Sequence, residues 1–101
     1  MAALDELRRK LPEVRDAFRP RHVILFGSEA RGQAGKDSDI DIILVSEAFE
    51  DVPWPDRGER FFEILWGGRS VDLICLTPEE FEKLRTWTGV VATACEEGIW
   101  L

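Results

Sequence analysis

The sequence predicts an α+β fold with an α/β-like alternation, a small sheet of about three or four strands covered by helices. Three observations carry that expectation. The apolar runs at 22–26, 40–45 and 70–76 have strand length and are bounded by polar or turn-forming residues. Segments with helical spacing of apolar residues flank and separate them. At 101 residues the chain can bury one core but not two, so residues 1–101 are expected to form a single domain.

The elements follow in order. Leu4, Leu7, Leu11, Val14 and Phe18 recur at helical spacing, predicting an amphipathic helix over 3–18 that Pro12 kinks or restarts. Arg19-Pro20 ends it, and His22-Val23-Ile24-Leu25-Phe26 reads as a buried strand. Residues 28–32 are expected to form a helical turn, with 33–38 a loop into the strand Ile40 to Val45. Val52-Pro53-Trp54-Pro55 is an irregular connection. A helix is expected from about Asp56, burying Phe61, Phe62, Leu65 and Trp66 and stopping at Gly67-Gly68. The strand Ser70 to Leu76 ends at a helix start, where Thr77 is a good N-cap, Pro78 suits the first position and Glu80 completes a capping box. A last helix is expected over about Val90 to Glu97. There are no repeats and no linker.

Composition narrows the function. Apolar residues make up 45% and charged residues 33%, which is globular rather than disordered. No apolar run has the length of a membrane span and no signal-peptide apolar region is present, so a cytoplasmic protein is expected. Cys75 and Cys95 lack metal spacing and read as buried thiols. His22 is the single histidine, which leaves zinc chemistry and Ser-His or Cys-His catalysis poorly supported. A net charge of −7 argues against an extended nucleic acid, which asks for a basic face. The clusters Arg8-Arg9-Lys10 and 15–21 read as solvated helix surface. At least two of the four tryptophans are expected in the core.

The residues that resist a purely structural reading are acidic. Asp39 and Asp41 lie two apart on one strand, so both carboxylates fall on one face, with Ile40 and Ile42 on the other. Asp39 alone could mark a strand end, but Asp41 is followed without interruption by Ile42-Ile43-Leu44-Val45. Asp72 interrupts a second apolar strand in the same way. Neighbouring carboxylates repel unless a cation lies between them, and hard cations such as Mg²⁺ prefer oxygen ligands. Gly27-Ser28, separated from Asp39 by ten residues, opens a segment where a small residue and backbone N–H groups can meet an anion. A P-loop is excluded, because Ala30 and Asp37 stand where that motif needs Gly and Ser or Thr. The glycines 27, 32 and 35 also lack the spacing of a dinucleotide-binding turn.

Phe26-Gly27-Ser28-Glu29-Ala30-Arg31-Gly32, followed by Ser38-Asp39-Ile40-Asp41-Ile42, resembles the signature of the DNA polymerase β-type nucleotidyltransferases. The resemblance is to their small prokaryotic group, the minimal nucleotidyltransferases, and Asp72 matches the family's third carboxylate. It covers most of the chain and implies a nucleotidyltransferase fold with a mixed rather than all-parallel sheet. It also implies transfer of a nucleoside monophosphate, AMP from ATP, to an acceptor hydroxyl with release of pyrophosphate. Asp39, Asp41 and Asp72 are then the catalytic carboxylates and the ligands of two Mg²⁺ ions. Gly27, Ser28 and Arg31 bind the nucleotide, with Lys36 a further candidate beside the phosphates.

Small members of this group pair with helical HEPN proteins as toxin–antitoxin systems. The resemblance therefore implies a HEPN-type partner in a hetero-oligomer and a tyrosine of that partner as acceptor, since this chain has none. Two other readings stand beside it, a non-catalytic antitoxin acting by occlusion and a catalytic subunit modifying a small molecule such as an antibiotic.

Overall fold

A computed structural model describes residues 3–27, 40–64, 71–87 and 89–101. Helix α1 (Ala3–Phe18) leads to strand β1 (His22–Phe26), and β2 (Ile40–Val45) follows. Short 3-10 turns at Glu47–Phe49 and Trp54–Asp56 precede α2 (Glu59–Ile64). Then come β3 (Val71–Leu76), α3 (Pro78–Leu84), α4 (Val90–Glu97) and β4 (Ile99–Trp100). The strands form one mixed sheet in the order β3-β2-β1-β4. β1 runs antiparallel to β2 and β4, whereas β2 and β3 are parallel. The mixed sheet implied by the family resemblance is therefore present.

The sheet lies between two helical layers. On one face Val23, Leu25, Ile42, Leu44 and Cys75 pack with Leu7, Leu11, Val14 and Phe18 of α1 and with Phe61 and Ile64 of α2. On the other, Ile24, Ile43, Val45 and Leu76 pack with Phe81 of α3 and with Val91 and Ala94 of α4. Residues 42–45 are completely buried. A strand covered on both faces has no reason to alternate polar with apolar residues, which accounts for the unbroken Ile42-Ile43-Leu44-Val45.

Local sequence sets the element ends. α1 runs through Pro12 without interruption and ends where Arg19 takes a left-handed φ of 46°. Buried Ser46 then fastens the end of β2 to the end of α1. Its hydroxyl donates to the Phe18 carbonyl at 2.5 Å and accepts from the Ala48 N–H at 3.0 Å, capping the first 3-10 turn. Thr77 and Glu80 form the capping box, with Glu80 N–H to Thr77 Oγ1 at 3.2 Å and Thr77 N–H to Glu80 Oε1 at 2.8 Å. Gly98 lets α4 turn into β4. A Cβ there would stand 2.6 Å from Ile24 Cγ2 and 2.9 Å from the Leu25 carbonyl oxygen.

Several expectations change. α2 begins at Glu59 rather than near Asp56, because Pro53 and Pro55 favour a separate 3-10 turn. Trp54, Trp87 and Trp100 are 52%, 66% and 42% exposed, so none of the three is a core residue. Trp66 and Leu65 lie outside the described residues. Cys75 is buried, but Cys95 is only half-buried. Arg8, Arg9 and Arg15 are exposed, as a solvated helix face requires. No helix among the described residues is long and apolar enough to cross a membrane.

Candidate active site

Antiparallel β1 ends where β2 begins, and parallel β3 begins at the same end of the sheet. Phe26 is therefore the register partner of Asp41, and Asp41 the register partner of Asp72. Strand alternation puts Asp41 and Asp72 on the face that also carries Ile43, Val45, Ile74 and Leu76. Asp41 is half-buried and Asp72 is exposed. Two carboxylates thus stand side by side at one sheet end, one sheltered and one open to a ligand. Among the described residues no group of three or more acids, histidines and cysteines gathers closely enough to hold a metal. Asp39, Ser28, Arg31 and Lys36 lie outside the described residues. The paired oxygen ligands fit a hard cation such as Mg²⁺ better than a softer metal.

Gly27 completes this end of the sheet. Its φ is +77°, a left-handed conformation that a side chain disfavours. A Cβ there would collide with Asp41 Oδ2 and lie 3.2 Å from its Cγ. Glycine suits the left-handed backbone here and leaves the Asp41 carboxylate where it stands; a side chain would have to push it aside.

A cavity of about 460 Å³ opens beside Gly27, on the carboxylate-bearing face. Phe26 and Gly27 form its strand wall, and Val90, Thr93, Ala94 and Glu97 of α4 form its helix wall. These helix positions repeat every three or four residues and share one face. Sequence reasoning missed them. The available signal was Val90-Val91, where two apolar residues cannot both point to the core.

Thiol chemistry is not supported. Burial pushes the Cys75 thiol up to about 12 against the opposing effect of Arg57. Burial also raises Cys95, so neither is a ready nucleophile.

The chain matches the nucleotidyltransferase domain over residues 6–101. It belongs to that family. The nucleotidyltransferase is 37% identical to the protein adenylyltransferase MntA of Thermococcus cleftensis over 92 residues, 88% of this chain and 82% of that protein. A crystal structure of a Sulfolobus solfataricus protein assigned as a nucleotidyltransferase aligns with a TM-score of 0.65 at 28% identity, covering 96% of this chain and 77% of that one. BolA1 of Arabidopsis thaliana shares the fold alone, with a TM-score of 0.59 at 16% identity over 74% of this chain and 94% of that one. The minimal nucleotidyltransferase suggested by the sequence signature is thus shown at the level of family and fold.

Proposed function

We propose that this nucleotidyltransferase moves AMP from ATP to a hydroxyl on another protein, with Asp39, Asp41 and Asp72 as the reactive carboxylates. The supporting observation is the Asp41–Asp72 register pair beside Gly27, at the end of β1 from which the Gly-Ser motif continues. Bound Mg²⁺ would neutralise the triphosphate charge that otherwise resists attack. Asp39, Asp41 and Asp72 would hold it. Gly27, lacking a Cβ, lets the Asp41 carboxylate pack against the start of the Gly-Ser segment, and Ser28 and Arg31 would hold the phosphates. Exposed Asp72 receives the proton of the acceptor hydroxyl. A new bond joins the acceptor oxygen to the α-phosphorus, the bond to the bridging oxygen breaks, and pyrophosphate leaves.

The acceptor is a tyrosine of a helical HEPN-type toxin, and the nucleotidyltransferase is its cytoplasmic antitoxin. The protein adenylyltransferase among its relatives and the absence of tyrosine from this chain support that reading. The HEPN toxins of the resembled systems are ribonucleases, and AMP attached near such a site would compete with RNA phosphate. The experiment mixes the protein with the helical partner and ATP labelled at the α- or the γ-phosphate. Label from the α-position should remain on the partner and label from the γ-position should not. Silencing of the partner with no label from either position would favour occlusion instead.

A further inference from the structure

We propose that the cavity between Phe26-Gly27 and α4 receives the nucleoside half of the nucleotide, an inference that rests on the nucleotidyl-transfer reading above. Its volume of about 460 Å³ falls within the range of small-ligand sites, roughly 300–1,000 Å³. Its position is decisive. Gly27 belongs both to the cavity wall and to the close approach with Asp41, so a ligand whose phosphates lie at the carboxylates enters the cavity directly.

The lining suits a planar base. Phe26 and Val90 offer an apolar surface above buried Ala94, and Val90 is 57% exposed although its neighbour Val91 is buried. Val90 thus adds nothing to the core and faces the space a base would fill. Thr93 and Glu97 supply the polar rim. Thr93 can donate or accept, and ionised Glu97 only accepts, from ribose hydroxyls or an exocyclic amino group. The Glu97 charge also disfavours the reverse orientation, with phosphates in the cavity. From Val90 to Glu97 the helix rises about 10 Å, enough to run alongside a nucleoside.

The test separates the two halves of the ligand. Binding of Mg-α,β-methylene-ATP and of Mg-tripolyphosphate is measured by calorimetry on wild-type protein, Thr93→Trp and Thr93→Ser. Thr93 is exposed, so the indole projects into the cavity without entering the core. Thr93→Trp should weaken the nucleotide at least tenfold and leave tripolyphosphate within twofold of wild type, while Thr93→Ser keeps both. Unchanged nucleotide binding in Thr93→Trp overturns the cavity assignment and leaves nucleotidyl transfer standing. Equal loss of both ligands in that variant also overturns it, because the substitution then acts at the phosphate end. A wild-type protein that binds neither ligand contradicts the transfer reading itself.

Discussion

The Asp41 carboxylate occupies the space that a side chain on Gly27 would need. The obstructing atom is the end of a short side chain that can rotate, so its displacement should cost the fold little. Gly27→Ala is therefore expected to destabilise by about 1–2 kcal/mol, mainly from the left-handed φ. The larger loss should be functional, because the role proposed for Asp41 needs its carboxylate in its present position. Thermal melts should show most of the Mg-ATP stabilisation gone in Gly27→Ala. In an Asp41→Asn background the same glycine substitution should remove little more, a non-additivity expected of groups in contact. Full retention of the Mg-ATP increment in Gly27→Ala would contradict this coupling.

How much of this arrangement could be read beforehand depends on the physics of each part. The buried strands were legible because Val23-Ile24-Leu25 and Ile42-Ile43-Leu44-Val45 leave no polar face. Pairing Asp41 with Asp72 required the parallel register, which no local pattern encodes. β4 was invisible, since Ile99-Trp100 gains its strand conformation from β1 rather than from its own sequence. The tryptophans misled because large apolar residues usually sink, whereas Trp54 lies under the Arg57 guanidinium at 4.5 Å and Trp100 sits edge-on to His22. The cavity wall on α4 was missed for a related reason, since helical spacing marks the core face, and exposed Val90 beside buried Val91 was a faint hint of a second apolar surface.

Asp72 should be dispensable for folding and necessary for chemistry. It is exposed and stands opposite a like-charged partner, an arrangement that slightly destabilises a sheet. Asp72→Asn should leave metal-free stability unchanged or raise it by a few tenths of a kcal/mol. Nucleotide transfer should fall by about 100-fold or more, as for loss of a positioned proton acceptor. Denaturant melts and single-turnover transfer together check this, and a stable variant with near-normal transfer would remove Asp72 from the site.

Stability at acid pH should report on a partly buried ion pair remote from the site. Arg57, 8% exposed, donates to the Val52 and Cys75 carbonyls and to Glu80 at 2.6 Å. Burial works to raise the Glu80 pKa, but hydrogen bonds from Arg57 and the Thr77 N–H outweigh it, and the carboxyl lies below its ordinary value. A lowered folded pKa stabilises above the unfolded value of about 4.5 and is lost as pH falls through the folded value. Glu80→Gln keeps the capping box but removes the charge facing Arg57, so it should cost about 1–3 kcal/mol at neutral pH. The difference from wild type should shrink below about pH 4.5. A gap that stays constant down to about pH 3 would show that charge at Glu80 is not the cause.

The thiols should be bystanders. With Cys75 buried and its thiol pushed up to about 12, native protein at about pH 8 should leave it unmodified by iodoacetamide. Half-buried Cys95 should react slowly, and unfolding should expose both. Peptide mass mapping checks the order. Rapid labelling of Cys75 in the native state would contradict the packing of β3 against α1 and α2.

Intact-mass spectrometry of the proposed helical partner, after incubation with Mg-ATP and wild-type, Asp41→Asn or Asp72→Asn protein, tests the central claim most directly. Wild-type protein should add one or more AMP masses to the partner. Both variants should add none while still binding it, because docking is expected to rest on apolar contacts rather than on the carboxylates. An unmodified partner after wild-type treatment, or equal modification by Asp41→Asn protein, would contradict the assignment of these carboxylates to AMP transfer.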